Sequence, residues 1–373
     1  MRILHTADLQ IGRTYSRFDP DDAAPIAEER FKVVERIASL ATDLKVDAIL
    51  VAGDVFDSQT LKERSIRRFF HALEGYSGPW ILLPGNHDAA LVEGVWTQAQ
   101  RLGVVPGHVH LALKPDTLLF KDQGFAVFTA PLTQRHTFHD LTAWFDTAEV
   151  PEGFMRVGLA HGSVQGILAE DVDSANPIAQ DRAVRARLDY LALGDWHGMK
   201  SINARTGYSG TPEQDRFKDN QAGFVLEVEI DAPGALPRVT PHEVGHYRWS
   251  SREERLALAT DLDRLAERLK DVGPRDVIDM TVTGQLDLAS HQRLIEMLSS
   301  AQARARSFQA DHARLRMMPT DEDIASLKAD GYLGDVVQKL REGQGDDPEG
   351  ITSEALTILA GIMMERATQG GRP

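Results

Sequence analysis

The stretch AILVAGDVFD, residues 48–57, decides how this chain reads. A short apolar run makes a strand, and the strand stops at Gly53-Asp54. Glycine permits the sharp turn there, and Asp54 is left at the strand end. The same design recurs four times. ILHTADLQ (3–10) ends on Asp8 and Gln10, and WILLPGNHD (80–88) on Asn86 and His87. RVGLAHGS (156–163) ends on His161, and YLALGDWHG (190–198) on Asp195 and His197. Each strand end taken alone is ordinary turn chemistry or a helix cap. The ordered set is not, because turn chemistry does not dictate which groups appear or in what order.

Carboxylates, an amide and imidazoles gathered at strand ends suit a dinuclear metal centre. Two divalent ions close together can clamp both the attacking and the leaving oxygen of a phosphate ester. Such a centre needs a carboxylate that bridges the ions, and Asp54 at the end of a buried strand is the candidate. Asp8 and Gln10 lie two apart, so both project to one side of an extended segment. Asn86 follows Pro-Gly and offers a neutral oxygen to a hard ion. His87, next to it, is placed to contact the phosphate or protonate the leaving oxygen. Asp88 reads as a residue that fixes the loop backbone.

Working outward, residues 26–44 carry Phe31, Val34, Ile37, Leu40 and Leu44 at helical spacing. Flanked by strands at 2–7 and 47–53, they make a β-α-β unit. A basic amphipathic helix follows at 61–74. Further strands read at 80–84, 109–113, 117–121, 124–130, 155–160, 190–194 and 223–230. This alternation predicts a layered α/β sandwich. A composition shift follows His246. Beyond it we read a helix at 252–271, a strand at 277–283, a helix at 287–303 and a strand at 313–318, a small α+β unit. GQGDDPEG (343–350) reads as a solvated linker, and 351–367 as an amphipathic helix that folds back or docks on a partner. The expected division is 1–248, 249–342 and 343–373.

Composition limits the chemistry. The 373 residues include no cysteine, which excludes disulfides, thiolate metal sites and cysteine nucleophiles. No run reaches the roughly 18 apolar residues of a membrane span. The first residues, MRILHTADL, enter a strand directly, so we read no cleavable leader and expect a cytoplasmic protein. The net charge is −15. Proteins that bind DNA unaided usually show a basic footprint, so a nucleic-acid substrate here requires a local basic patch, the metals, or a partner. Candidate contacts are Arg13, Tyr15 and Arg17, then Arg135 and His136, then Arg216 and Lys218, all in loops near strand ends.

The set Asp8, Gly53-Asp54, Asn86-His87, His161 and Asp195-X-His197 resembles the calcineurin-like metallophosphoesterase superfamily. That family's pattern is D-x-H, G-D, G-N-H-[DE], a lone histidine, then G-H-x-H. With TADLQIGR, AGDVFDS, PGNHD, YLALGDWHG and YSGTPE, the chain is similar to SbcD-type DNA repair exonucleases, including the YhaO-like branch. The resemblance spans about residues 1–230. It implies a four-layer α-β-β-α metallophosphoesterase sandwich with a smaller α+β C-terminal cap domain and a C-terminal helix. One ion would be held by Asp8, Gln10, Asp54 and His197, the other by Asp54, Asn86, His161 and Asp195, with His87 as the catalytic histidine. Asp57 would orient His87, or else cap the helix near Leu61. DNA, an SbcC-like coiled-coil ATPase and a homodimer through helices near 61–74 or 89–103 are the implied partners.

Two positions depart from the family pattern. Gln10 and Asp195 stand where histidines are expected, so oxygen donors replace nitrogen and one negative charge is added. Hard ions, Mn²⁺ first and Mg²⁺ second, should be preferred to Zn²⁺. The alternatives kept open are a phosphodiesterase or phosphatase for a small ester, and a weakly active or inactive scaffold for an ATPase.

Overall fold

The computed structural model describes residues 1–167, 175–317, 332–343 and scattered positions from 351 to 362. Two compact units divide the chain, Met1–Arg248 and Trp249–Pro373.

The first unit is built on two six-stranded sheets. One runs in the order Arg238–Glu243, Phe224–Glu229, Arg2–Thr6, Ala48–Val51, Trp80–Leu82, Val109–Leu111. The other runs Lys200–Asn203, Thr206–Tyr208, Tyr190–Gly194, Met155–His161, Phe125–Ala130, Asp116–Phe120. The central strands of each sheet pair in parallel. Parallel neighbours all end at the same edge, and that shared edge is what gathers Asp8, Asp54 and Asn86 from one sheet and His161 and Asp195 from the other.

Side-chain alternation divides each strand between two cores. Ile3, Leu50 and Ile81 pack against Val127, Val157, Leu159 and Ala192, filling the space between the sheets. Leu4, Ile49, Val51 and Leu82 point outward, onto Val34, Ile37, Ile66, Phe69 and Trp96 of the covering helices. On the far side Phe128, Ala160, Leu191 and Leu193 meet Phe145, Ala183 and Leu188. That last layer is thin, made of a 3₁₀ turn at Ala143–Thr147 and a single helical turn at Arg182–Arg185. The helix–sheet–sheet–helix sandwich expected from the sequence is present.

Element boundaries shifted where local signals misled. The helix read at 26–44 starts earlier, spanning Pro20–Leu44 with Pro25 inside it. Pro20 occupies its first turn with Asp21 and Asp22, where a missing N–H costs nothing and acids complement the helix dipole.

In the second unit the expected helix at 252–271 is wrong in its first part. Arg248–Leu256 is a strand, and the helix is Ala259–Lys270. Its side chains alternate between exposed and covered along the strand, a period-2 pattern that the dense charge of SREERL concealed. The sheet runs Arg248–Leu256, Asp276–Leu286, Ser307–Asp311, and Leu315–Met317 also pairs with Asp276–Leu286. Leu262, Leu265 and Leu269 pack with Ile278, Met280, Leu294 and Leu298. A helix at Tyr332–Gly343, not anticipated, precedes the expected linker. That linker, and most of the expected helix at 351–367, lie outside the described residues. Among the described residues no helix is long and apolar enough to cross a membrane.

Candidate metal centre

Asp8, Asp54 and His161 are buried and each offers a ligand atom, all within 4.8 Å of one another. Four candidate ligands take left-handed backbone: Asp8 (φ 53°), Gln10 (φ 51°), Asp54 (φ 52°) and Asp195 (φ 104°). Side chains other than glycine adopt this region rarely, at a cost of order 1–3 kcal/mol, and hold it only where the surroundings enforce it. Backbone bonds do the enforcing here. Asp8 N donates to Gly53 O (3.0 Å), Gln10 N to Asp54 O (3.0 Å) and Ile11 N to Val55 O (2.9 Å). The two loops that carry the acids are therefore laced together.

Close approach explains two glycines. A Cβ at Gly53 would lie 2.1 Å from His161 Nδ1, and one at Gly85 would lie 2.2 Å from Asp54 Oδ1. Any larger residue at either position would push a candidate ligand out of place.

His161 is oriented for ligation. Its Nδ1 donates to Ala52 O at 2.8 Å, which leaves the Nε2 lone pair facing the centre. That lone pair lies 3.7 Å from Asp54 Oδ1 and 3.7 Å from Asp195 Oδ1. Asn86 Oδ1 is 3.1 Å away. The Asn86 amide has two settings. With nitrogen inward it would donate to Asp54 Oδ2 (3.0 Å) and His161 Nε2 (3.1 Å). With oxygen inward it faces His161 Nε2, which a proton on that nitrogen or a bound cation makes favourable. Oxygen-rich, with one imidazole, this donor set fits a hard divalent ion.

The electrostatics agree. Burial pushes Asp8 up to about 6 despite His197 and His161 nearby. Burial alone would lower His161, but Asp54, Asp195 and Asp8 hold it at about 9. Burial also raises Asp195. The cluster thus concentrates negative charge that protons partly neutralise, as a bound cation would.

The other side of the centre is less simple. Gln10, expected to ligate through its oxygen, instead donates Nε2 to Asp54 Oδ2 at 2.9 Å, and its Oε1 accepts from Arg13 at 3.3 Å. In this setting the amide nitrogen of Gln10, not its oxygen, faces Asp54. His197 Nδ1 lies 3.1 Å from Asp215 Oδ2, and Arg216 Nη2 sits against the ring, 2.7 Å from Nδ1 and 3.1 Å from Nε2.

Asp215 was missed in the sequence. It is buried, and it pairs with Arg13 (3.2 Å) and Arg216 (3.0 Å) as well as His197. Burial would raise its carboxyl, but the His197 hydrogen bond and the Arg30 charge hold it well below the usual carboxylate range. Arg30, fully buried, bridges Tyr15, Leu9 and Thr211. No local motif marks these residues. The only signal was the position of Asp215 just after TPE, residues 211–213.

His87 lies beside Asp54. Its backbone N donates to Asp54 Oδ1 (2.9 Å), and Nε2 lies 3.9 Å from Asp54 Oδ2. Asp57 orients it, but through its backbone carbonyl, which accepts from His87 Nδ1 at 3.0 Å. The Asp57 carboxylate faces Arg13 at 3.5 Å. It does not cap the next helix, whose N-cap is Lys62. Asp88 does fix the loops, accepting from Gly85 N (2.6 Å) and Phe56 N (3.1 Å). Arg135 lines a cavity of about 340 Å³ with Asp57, Asn86 and His87, and His136 is exposed beside it. Tyr15 is buried, and its hydroxyl accepts from Arg30.

The calcineurin-like phosphoesterase family matches residues 1–226, which include all of these residues. The chain belongs to this family. Among curated relatives, this phosphoesterase is 26% identical over 236 residues to the DNA double-strand break repair protein Mre11 of Methanosarcina acetivorans. That alignment covers 59% of this chain and 35% of the relative. It is 32% identical over 271 residues to the SbcD component of the SbcCD nuclease of Bacillus subtilis, covering 62% and 66%. Against the uncharacterized metallophosphoesterase YhaO of Bacillus subtilis it is 26% identical over 220 residues, covering 55% and 50%. The chain thus spans between about a third and two thirds of the length of these relatives. The chain is thus similar to proteins named Mre11, SbcD and YhaO.

Proposed function

We propose that the chain hydrolyses phosphodiester bonds with two divalent ions, Mn²⁺ preferred, as a DNA nuclease component in repair. The observation that carries this reading is the convergence of Asp8, Asp54 and His161 within 4.8 Å, with Asn86, Asp195 and His87 around them. Bound ions would supply charge neutralisation at the phosphate and an activated water.

The chain's own residues do the rest. Asp54 is central to both halves of the centre. Asn86, His161 and Asp195 complete one half, and Asp8 and His197 form the other. Because Gln10 is turned away, the second half has fewer ligands and should hold its ion more weakly. His87, fixed through Nδ1, presents Nε2 to the leaving oxygen and gives it a proton. Arg13, held by Asp57 and Asp215, offers a fixed guanidinium for the phosphate. The relatives named for double-strand break repair and for SbcCD support DNA as substrate and a coiled-coil ATPase as partner.

A second reading is favoured by the net charge of −15: a small ester, which needs no basic footprint, as substrate. One experiment separates the two. Linear DNA and bis-p-nitrophenyl phosphate are offered with Mn²⁺ to the wild type and to His87→Ala. The nuclease reading expects both to be hydrolysed, with a loss of roughly 10²- to 10⁴-fold in the variant. Ester hydrolysis without DNA cleavage, even with the ATPase present, selects the second reading. No metal-dependent hydrolysis of either sinks both.

A further inference from the structure

A chain of net charge −15 needs some local means of holding a polyanion, and two segments beside the centre supply it. Residues 196–200 carry His197, and residues 216–218 follow Asp215. Residues on either side of the second segment bond to the first. Thr211 N donates to His197 O and Met199 N to Gln221 O, both at 3.2 Å. Arg216 Nη2 lies against the His197 ring, 3.1 Å from Nε2. Along this pair, rings and cations alternate. Lys218 Nζ is 4.5 Å and Lys200 Nζ 5.1 Å from the centre of the Trp196 ring. The Arg17 guanidinium is 4.7 Å from the centre of the Phe217 ring. Trp196 and Phe217 are half-buried, while Arg17 and Lys218 are exposed.

We propose that Trp196 and Phe217, with Arg17, Lys200 and Lys218, form a platform for unpaired, single-stranded nucleic acid beside the centre. The proposal rests on the phosphodiesterase reading and extends it to the form of the strand. Duplex base faces are hidden in their own stack, whereas unpaired bases stack on any aromatic ring. An exposed cation over a ring is a weaker contact than a base stacked there. A base therefore displaces the ammonium or guanidinium from the ring, and the freed cation pairs with the adjoining phosphate. The same few residues then serve both halves of a nucleotide. Trp196 lies between Asp195 and His197 in the chain, so a strand held on it is delivered directly to the centre.

The test uses the full-length protein in EDTA, so that no strand is cut. A labelled oligothymidylate and a blunt-ended hairpin duplex are titrated by fluorescence anisotropy across a salt series. The expected result is tighter binding of the oligothymidylate, weakened roughly 5- to 150-fold by Phe217→Ala. The paired change Arg17→Ala with Lys218→Ala should flatten the salt dependence by a slope of about 1–2. Hairpin binding should not respond to Phe217→Ala. Equal binding of both forms, no binding of the oligothymidylate, or an unaffected Phe217→Ala variant overturns the proposal. Hydrolysis of bis-p-nitrophenyl phosphate, measured alongside with Mn²⁺, reports separately on the phosphodiesterase reading.

Discussion

At the residue scale the centre is a group of acceptors that share too few protons. Asp8 at about 6 and His161 at about 9 both hold protons that a metal ion must displace. Metal affinity should therefore rise with pH. Between pH 6 and 9 the displaced proton is chiefly that of His161, so affinity should gain roughly tenfold per pH unit and level off above 9. Below 6 Asp8 adds a second proton and steepens the fall. Calorimetric titration with Mn²⁺ in buffers of different ionisation enthalpy counts these protons; a pH-independent affinity contradicts the assignment. Metal identity is a second residue-scale question. Gln10→His with Asp195→His restores two imidazoles and removes one charge, so selectivity should move towards Zn²⁺. If the double variant keeps the wild-type order of metals, these two residues do not set it.

At the scale of elements, the strand ends were legible and their supports were not. Asp54, Asn86, His87, His161 and His197 each follow a recognisable apolar run, so sequence order sufficed to gather them. The laced loops at Asp8–Ile11 and Gly53–Val55, the buried Asp215 and the buried Arg30 depend on long-range contacts that no local pattern announces. Gln10 shows the same limit. Its residue type permits ligation, but Arg13 and Asp54, brought in by the fold, decide its orientation. The strand at Arg248–Leu256 was misread because its alternation was carried by charged rather than apolar residues.

Two element-scale expectations follow from these supports. Gly53→Ala would force a Cβ to 2.1 Å from His161 Nδ1 at a φ of 91°. It should abolish Mn²⁺ binding and cost at least about 1–2 kcal/mol of stability, read by thermal melts with and without metal. Glu213 ties three elements together. Its carboxylate accepts from His246 N (2.7 Å) and Tyr247 N (2.9 Å) and pairs with Arg36 (3.1 Å). Burial outweighs those partners and raises it from 4.5 to about 7. A carboxyl raised in the fold contributes stability that is complete below 4.5 and is lost as pH rises through 7. The loss should reach up to roughly 3 kcal/mol. Denaturant melts from pH 4.5 to 7.5 should show that decline, and Glu213→Gln should flatten it.

At the scale of the whole molecule, every residue assigned to the centre lies within Met1–Arg248. The sandwich delivers them because parallel strands from two sheets end at one edge, which is why the architecture was legible from five short runs. The described residues of Trp249–Pro373 contribute none of these groups. Overall charge works at this scale too. If the substrate is a polyanion, its binding should show a shallow salt dependence, set by the few cations near Arg13, Arg17 and Lys218.

The most direct test is a crystal structure grown with Mn²⁺, with anomalous scattering recorded at the manganese edge. The expected map shows one strong peak coordinated by Asp54, Asn86, His161 and Asp195. A second, weaker peak should share Asp54 with Asp8 and His197, without Gln10 in its shell. Manganese bound elsewhere, or no peak within coordination distance of Asp54 and His161, would contradict the assignment of this edge as a hydrolytic metal centre.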